Sequence, residues 1–215
     1  MITTDSLEIH RAELMEELTL WRFLHDLFRY PDAGTWVWLH EPRVAEAWQR
    51  MQQLVPDGES PAGLPATYHA YEEEYLAAFE VGMPYPRCPL IESHWNKRDP
   101  VPKVLHENIL FYKRFGLQLR ASANETADHL RHQLEFLAHL CALELDALNA
   151  DDAENHAEQA AHARLDYLER HTGYWVPRAT AFLRQEAPDS WPAAWMNVLE
   201  GACAWAMEAL RSRRK

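Results

Sequence analysis

The stretch SWPAAWMNVLEGACAWAMEAL, residues 190–210, repeats its apolar residues at helical spacing. Trp191, Trp195, Val198, Ala202, Trp205 and Ala209 follow one another at steps of four and three, which places them on one seam. The helix begins at Ser190-Trp191-Pro192 and closes on Arg211-Ser212-Arg213-Arg214-Lys215, cations that suit a helix C-terminus.

The same period extends along the chain. Leu14, Leu18, Trp21, Leu24, His25 and Phe28 form a first stripe that Pro31 stops, and Asp5-Ser6-Leu7-Glu8 has capping-box spacing before it. A second helix is expected from Pro42 through Trp48, Met51 and Leu54 to Pro56, with a loop over 56–65. A third carries Tyr68, Tyr71, Tyr75 and Phe79 and ends before Gly82. Helical pattern resumes from Val104 to Phe115, with Gly116 at the C-cap. A helix over 125–149, capped by Ser122 or Asn124, presents Leu130, Leu134, Leu137, Cys141, Leu145 and Leu148. An Ala-rich helix follows from Asp151-Asp152 to Thr172-Gly173, then a shorter one from Trp175 to Glu186. No strand and no repeat emerges. The expectation is one all-α domain over residues 1–215, a bundle of about seven to nine helices.

Composition supports this and narrows the function. Among 215 residues there are 7 Gly against 9 Trp, which disfavours a turn-rich β architecture. With 21 Lys plus Arg against 33 Asp plus Glu the net charge is −12, so the chain would repel a phosphate backbone and no nucleic-acid partner is expected. No G-x-G-x-x-G, Walker A, G-x-S-x-G or H-E-x-x-H pattern occurs, so the common nucleotide and hydrolase sites have no carrier and no cofactor is expected. Cys88, Cys141 and Cys203 are scattered and odd in number, as in a reduced cytoplasmic protein. The first residues lack a signal peptide's basic and apolar regions, and no apolar run is long enough to span a membrane.

Two places invite a site. Met83 to Pro102 holds five prolines and cannot be regular helix, yet Tyr85, Leu90, Ile91 and Trp95 argue against disorder. This Pro-rich loop, about 82–102, carries Glu92, His94 and Asp99. Next to the Tyr71/Tyr75 aromatic wall it suits an apolar peptide with basic residues at one end. The wall itself reads most simply as core packing, and Glu72-Glu73-Glu74 as a solvated face. The other place is the trio His132, Glu135 and His139, which share one helix face at metal-ligand spacing. A metal-binding enzyme or sensor built on that trio is the alternative reading. Its plain counterpart is a polar helix face.

The motifs then resemble a known family. Tyr71-Glu-Glu-Glu-Tyr75-Leu-Ala-Ala-Phe79 followed by Cys88-Pro89-Leu90-Ile91-Glu92-Ser93-His94-Trp95 is similar to the central motif of the TorD/DmsD/NarJ-like chaperones. Phe111-Tyr112-Lys-Arg-Phe115-Gly116-Leu117, Asp128-His129-Leu130-x-x-Gln133-Leu134-Glu135-Phe136-Leu137 and His171-x-x-x-Trp175-Val176-Pro177 resemble its later segments in order. Gln133 stands where the family often has Glu, and Leu137 where it often has Met. The loop looks most like the subgroup serving type II DMSO-reductase-family enzymes. The resemblance implies a TorD-like, non-catalytic chaperone that acts in the cytoplasm as a monomer or domain-swapped dimer. It would bind the apo catalytic subunit of a molybdenum oxidoreductase, through its N-terminal or twin-arginine signal segment, and assist cofactor insertion. Tyr71, Tyr75, Pro89, Leu90, Glu92, Ser93, His94, Trp95, Asp128, His129 and Glu135 are the residues expected at or near the client.

Overall fold

A computed structural model describes residues 4–54, 65–120, 125–150 and 153–213. Every helix expected from the sequence is present, as α1 (Thr4–Leu27), α3 (Pro42–Leu54), α4 (Tyr68–Tyr75), α6 (Val101–Arg114), α7 (Leu130–Asn149), α8 (Ala153–Arg170), α9 (Thr172–Glu186) and α10 (Trp191–Ser212). Two short ones, α2 (Ala33–Leu39) and α5 (Glu92–Trp95), are additional. α2 starts because the Asp32 carboxylate accepts the Thr35 amide at 2.6 Å and its hydroxyl at 3.0 Å. Those hydrogen bonds hold Asp32 below the usual carboxylate range. α4 runs on into a π-helical turn, Leu76–Glu80, which closes with the Val81 amide on the Leu76 carbonyl.

α7 is the central element. It packs against α1 on one side and α8 on the other, while α10 lies on α9 and α8. The α1 stripe is buried as expected, except that His25 sits half-buried at its edge. Trp21, Trp175 and Trp191 are each within 1% of full burial. The Trp191 ring lies 4.2 Å from Trp195 and 4.8 Å from Tyr71, so the Tyr71/Tyr75/Phe79 ladder is core packing. Each such side chain contributes on the order of 2–3 kcal/mol through removal from water. All three cysteines are free and buried, and burial raises the Cys88 thiol to about 12.

The core also holds a charged knot. Arg164 of α8 is fully buried, with Glu17 of α1 at 3.0 Å and Glu144 of α7 at 2.7 Å. Glu17 also accepts the Trp21 indole N–H at 3.1 Å, and Glu144 pairs with His10 at 2.9 Å. Burial pushes Glu144 up, but the His10 hydrogen bond and the Arg164 charge outweigh it and hold the carboxyl below its ordinary value.

Two helix boundaries need correction, and some expected residues fall outside the described ones. α7 begins at Leu130 rather than near 125, because the Asp128 carbonyl and the Leu130 amide pair with the backbone of the Pro-rich loop. α8 ends at Arg170 and α9 starts at Thr172, since the Tyr174 and Trp175 amides both turn back to the His171 carbonyl. Helix α1 already includes Asp5, whose side chain, like Ser122, Asn124, Asp151, Asp152 and the 56–64 loop, lies outside the described residues. Gly116, at φ 80°, closes α6 as expected, in a backbone region open to glycine.

Candidate functional site

The Pro-rich loop is held at three levels. Its backbone runs antiparallel to the residues before α7: the Leu130 amide donates to the Leu90 carbonyl at 2.8 Å and the Glu92 amide to the Asp128 carbonyl at 3.1 Å. The buried Asp128 carboxylate then accepts the Ser93 amide at 2.9 Å and the Thr126 hydroxyl at 2.6 Å, which starts the single turn α5. Upstream, the Cys88 amide donates to Ala78, and the Trp95 indole reaches back to the Pro89 carbonyl at 2.9 Å. Gly82 is required in the bend, because a Cβ there would meet the Tyr85 carbonyl at 2.2 Å.

Beneath the loop lies a sealed polar hub centred on Glu92, which is 0% exposed. Its carboxylate accepts from Gln133 at 2.6 Å, Asn108 at 3.1 Å and Asn96 at 3.2 Å, with His171 Nδ1 3.0 Å from both oxygens. The hub continues outward in two directions. Gln133 accepts the Trp175 indole at 2.8 Å and the Thr172 hydroxyl at 3.1 Å. Asn108 accepts from Tyr167, while Tyr112 donates to the Ala127 carbonyl at 2.8 Å. Burial holds both phenols far above the usual tyrosine range, so they serve as neutral donors. The family-like segments of the sequence, scattered from residue 88 to 177, therefore meet in one hydrogen-bonded cluster. The Gln for Glu difference at 133 has a physical sense: an amide gives Glu92 a donor, where a second carboxylate would repel it.

The expected client residues separate by depth. Tyr71, Tyr75, Pro89, Leu90, Glu92 and Asp128 are buried and engaged within the chain. Ser93, His94, Trp95 and His129 are half-buried, and Glu135 is exposed. Glu135 is not gathered with the loop; it borders a hollow of about 380 Å³ with Arg22, Asp26 and His139. His129 caps α7 by accepting the Arg131 amide on Nδ1, and burial lowers its imidazole to about 4, which keeps that nitrogen free of a proton.

What the loop turns outward was largely missed in the sequence. Val81 is 60% exposed, Met83 98% and Tyr85 65%. Tyr85 stands 5.8 Å from the His94 ring, His94 5.0 Å from Trp95, and Trp95 5.6 Å from Phe182 of α9. The result is an apolar lip ending in an aromatic ridge. The Glu80 carboxyl, at the start of the lip, is pushed up by partial burial and by the charge of Glu125. The hub residues Asn108, Tyr167 and His171 were missed as well. Their signal was a polar group set in an apolar helix face, as Asn108 is between Val104 and Phe111.

The metal trio does not assemble. His139 Nε2 pairs with the Phe115 carbonyl at 3.0 Å and His132 faces the His129 ring. Among the described residues no group of three His, Cys, Asp or Glu side chains could hold a metal ion. A separate cleft of about 1160 Å³ between α1, α6, α7, α8 and α10 includes His10, Phe111, Glu144, Asp166 and Arg213, and none of the loop residues.

The structure is thus a helical bundle whose Pro-rich loop is clamped on a buried polar hub. Residues 40–181 match the family model described as nitrate reductase delta subunit, and the chain belongs to that family. It is 35% identical over 165 residues to the selenate reductase assembly chaperone protein of Thauera selenatis, covering 76% of this chain and 74% of that one. The chlorate reductase assembly chaperone protein of Ideonella dechloratans is 32% identical over 151 residues, 70% of this chain and 68% of that one. The perchlorate reductase assembly chaperone protein of Dechloromonas aromatica is 30% identical over 137 residues, 64% and 60%. The TorD/DmsD/NarJ-like resemblance is borne out, and with it the reading of an assembly chaperone rather than an enzyme.

Proposed function

We infer that the protein assists assembly of a molybdenum oxidoreductase by holding its apo catalytic subunit in the cytoplasm, and that it does so on the outward face of the Pro-rich loop. The observation that carries this is the contiguous exposure of Val81, Met83 and Tyr85 on a loop whose root is fixed by Glu92 and Asp128. Apolar side chains this exposed call for a covering partner. A pre-set loop also loses little entropy on binding.

The occupant is the client's N-terminal segment, apolar and bearing arginine. Val81, Met83, Tyr85 and Trp95 cover its apolar part. Glu80 and Glu125, whose charges oppose one another, gain from a cation placed between them. Glu92 and Asp128 shape the loop and leave contact to Ser93, His94 and Trp95. Helices long and apolar enough to cross a membrane are absent among the described residues.

Calorimetric titration with the N-terminal peptide of the cognate catalytic subunit tests this reading. Binding that weakens as salt is raised supports it. Absence of binding both to that peptide and to the apo subunit contradicts it.

A further inference from the structure

The charge around the loop's far end is the reverse of the chain's average. Arg98 stacks on the Tyr174 ring with its guanidinium carbon 3.6 Å from the centroid, and Arg178 on the same ring at 4.0 Å. Two planar guanidinium groups cannot share one face at those distances, so Tyr174 is clasped from both sides. Tyr174 and Arg178 are one turn apart on α9, and Arg178 is pinned further by its hydrogen bond to the Tyr174 carbonyl.

Neither cation reaches a carboxylate among the described residues. Asp99, next to Arg98 in sequence, is taken by Lys103 at 2.6 Å. Several other arginines of this acidic chain are ion-paired: Arg170 with Glu107, Arg184 with Glu200 and Arg211 with Glu169. Lys97 adds a third cation without an acidic partner, its ammonium on the His94 carbonyl. Arg98 and Arg178 are both exposed, whereas the ring between them is 9% exposed. The positive charge is thus concentrated, ordered and open to solvent.

We propose that Arg98 and Arg178, clamped on the two faces of Tyr174, form a binding site for a phosphate group, either free or carried on an organic ligand. The two forks lie on either side of one ring, so a tetrahedral anion at the ring edge presents separate oxygens to each. A phosphate dianion also matches the two charges. A planar carboxylate has one pair of oxygens and satisfies one fork. The site adjoins the client surface, since Lys97 reaches the His94 carbonyl, but it uses none of the residues assigned to client contact.

Titration of the full chain at constant ionic strength, read by the arginine Nε–H resonances, tests the assignment. The probes are inorganic phosphate and phenyl phosphate, with a glutamate-rich peptide as the carboxylate comparison. The expected result is a dissociation constant on the order of millimolar for phosphate. Arg98→Gln and Arg178→Gln should each weaken it about tenfold. Arg98→Lys, which keeps the charge and loses the fork, should weaken it severalfold. Equal affinity for the two phosphates marks the free anion as sufficient, and tighter phenyl phosphate marks an organic carrier; both support the site. No shift at Arg98 or Arg178 with either phosphate, unchanged binding in the double variant, or stronger binding of the peptide would each overturn it.

Discussion

The Glu92 carboxylate and the His171 imidazole, 79 positions apart in the chain, lie 3.0 Å from each other and are 0% and 1% exposed. This contact joins the Pro-rich loop to the start of α9, and Gln133 and Asn108 complete the shell from α7 and α6. Without the carboxylate, four N–H groups turned toward it would lose their acceptor in the core.

Glu92→Ala is therefore expected to destabilise the fold by about 3–5 kcal/mol, the usual loss when one member of a buried charged cluster is removed. Glu92→Gln keeps the volume but turns an NH₂ toward other donors, and should cost about 2 kcal/mol. Urea midpoints at unchanged m-value measure both. A Glu92→Ala protein as stable as the parent would remove the hub from its structural role.

The Arg164 knot gives a second test. Arg164→Ala strands Glu17 and Glu144 without their cation and should cost about 3–5 kcal/mol. Replacing the three together, Arg164→Met with Glu17→Leu and Glu144→Leu, should recover part of that loss, since the charges no longer need desolvation while the Trp21 indole and His10 lose their acceptors. Thermal denaturation of the two variants side by side separates a charge requirement from a volume requirement.

The capping histidine predicts a pH effect. His129 is lowered from 6.5 to about 4, so between those values the unfolded chain binds a proton that the folded chain refuses. Stability contributed by the neutral cap is complete above about pH 6.5 and falls as the pH drops toward 4, by up to about 3 kcal/mol. His129→Asn retains a capping oxygen and cannot titrate there. Its unfolding free energy should match the parent near pH 7.5 and exceed it near pH 4.5.

Client contact should follow exposure rather than motif membership. Met83→Ser with Tyr85→Ser should weaken binding of the client peptide about tenfold, with the circular dichroism spectrum and urea midpoint unchanged. Glu80→Gln should reduce the salt dependence of that binding, because it removes one of the two opposed charges at the lip.

Much of the helical fold was open to reading because each helix prints its own period: the α1 stripe and the α10 seam depend on residues three and four apart. The starts of α7 and α9 were not, since Asp128 and His171 take partners in remote segments. The same limit applies to the site. The loop is visible through its prolines and aromatics, but nothing in the local sequence places Glu92 in the core against His171 and Gln133. Gln133 itself, apparently a lost charge, both donates to Glu92 and accepts from Trp175. The net charge of −12 was a poor guide to the 94–98 region, where Lys97 and Arg98 lack acidic partners. A sum over the chain does not report local sign.

The most direct test of the chaperone surface is hydrogen exchange of the full chain with and without the apo catalytic subunit of its client. Protection on binding is predicted over residues 81–87 and 93–96, with the hub helices α6 and α7 unchanged. Protection confined to the cleft between α1, α8 and α10, with residues 81–96 exchanging as in the free protein, would contradict the account.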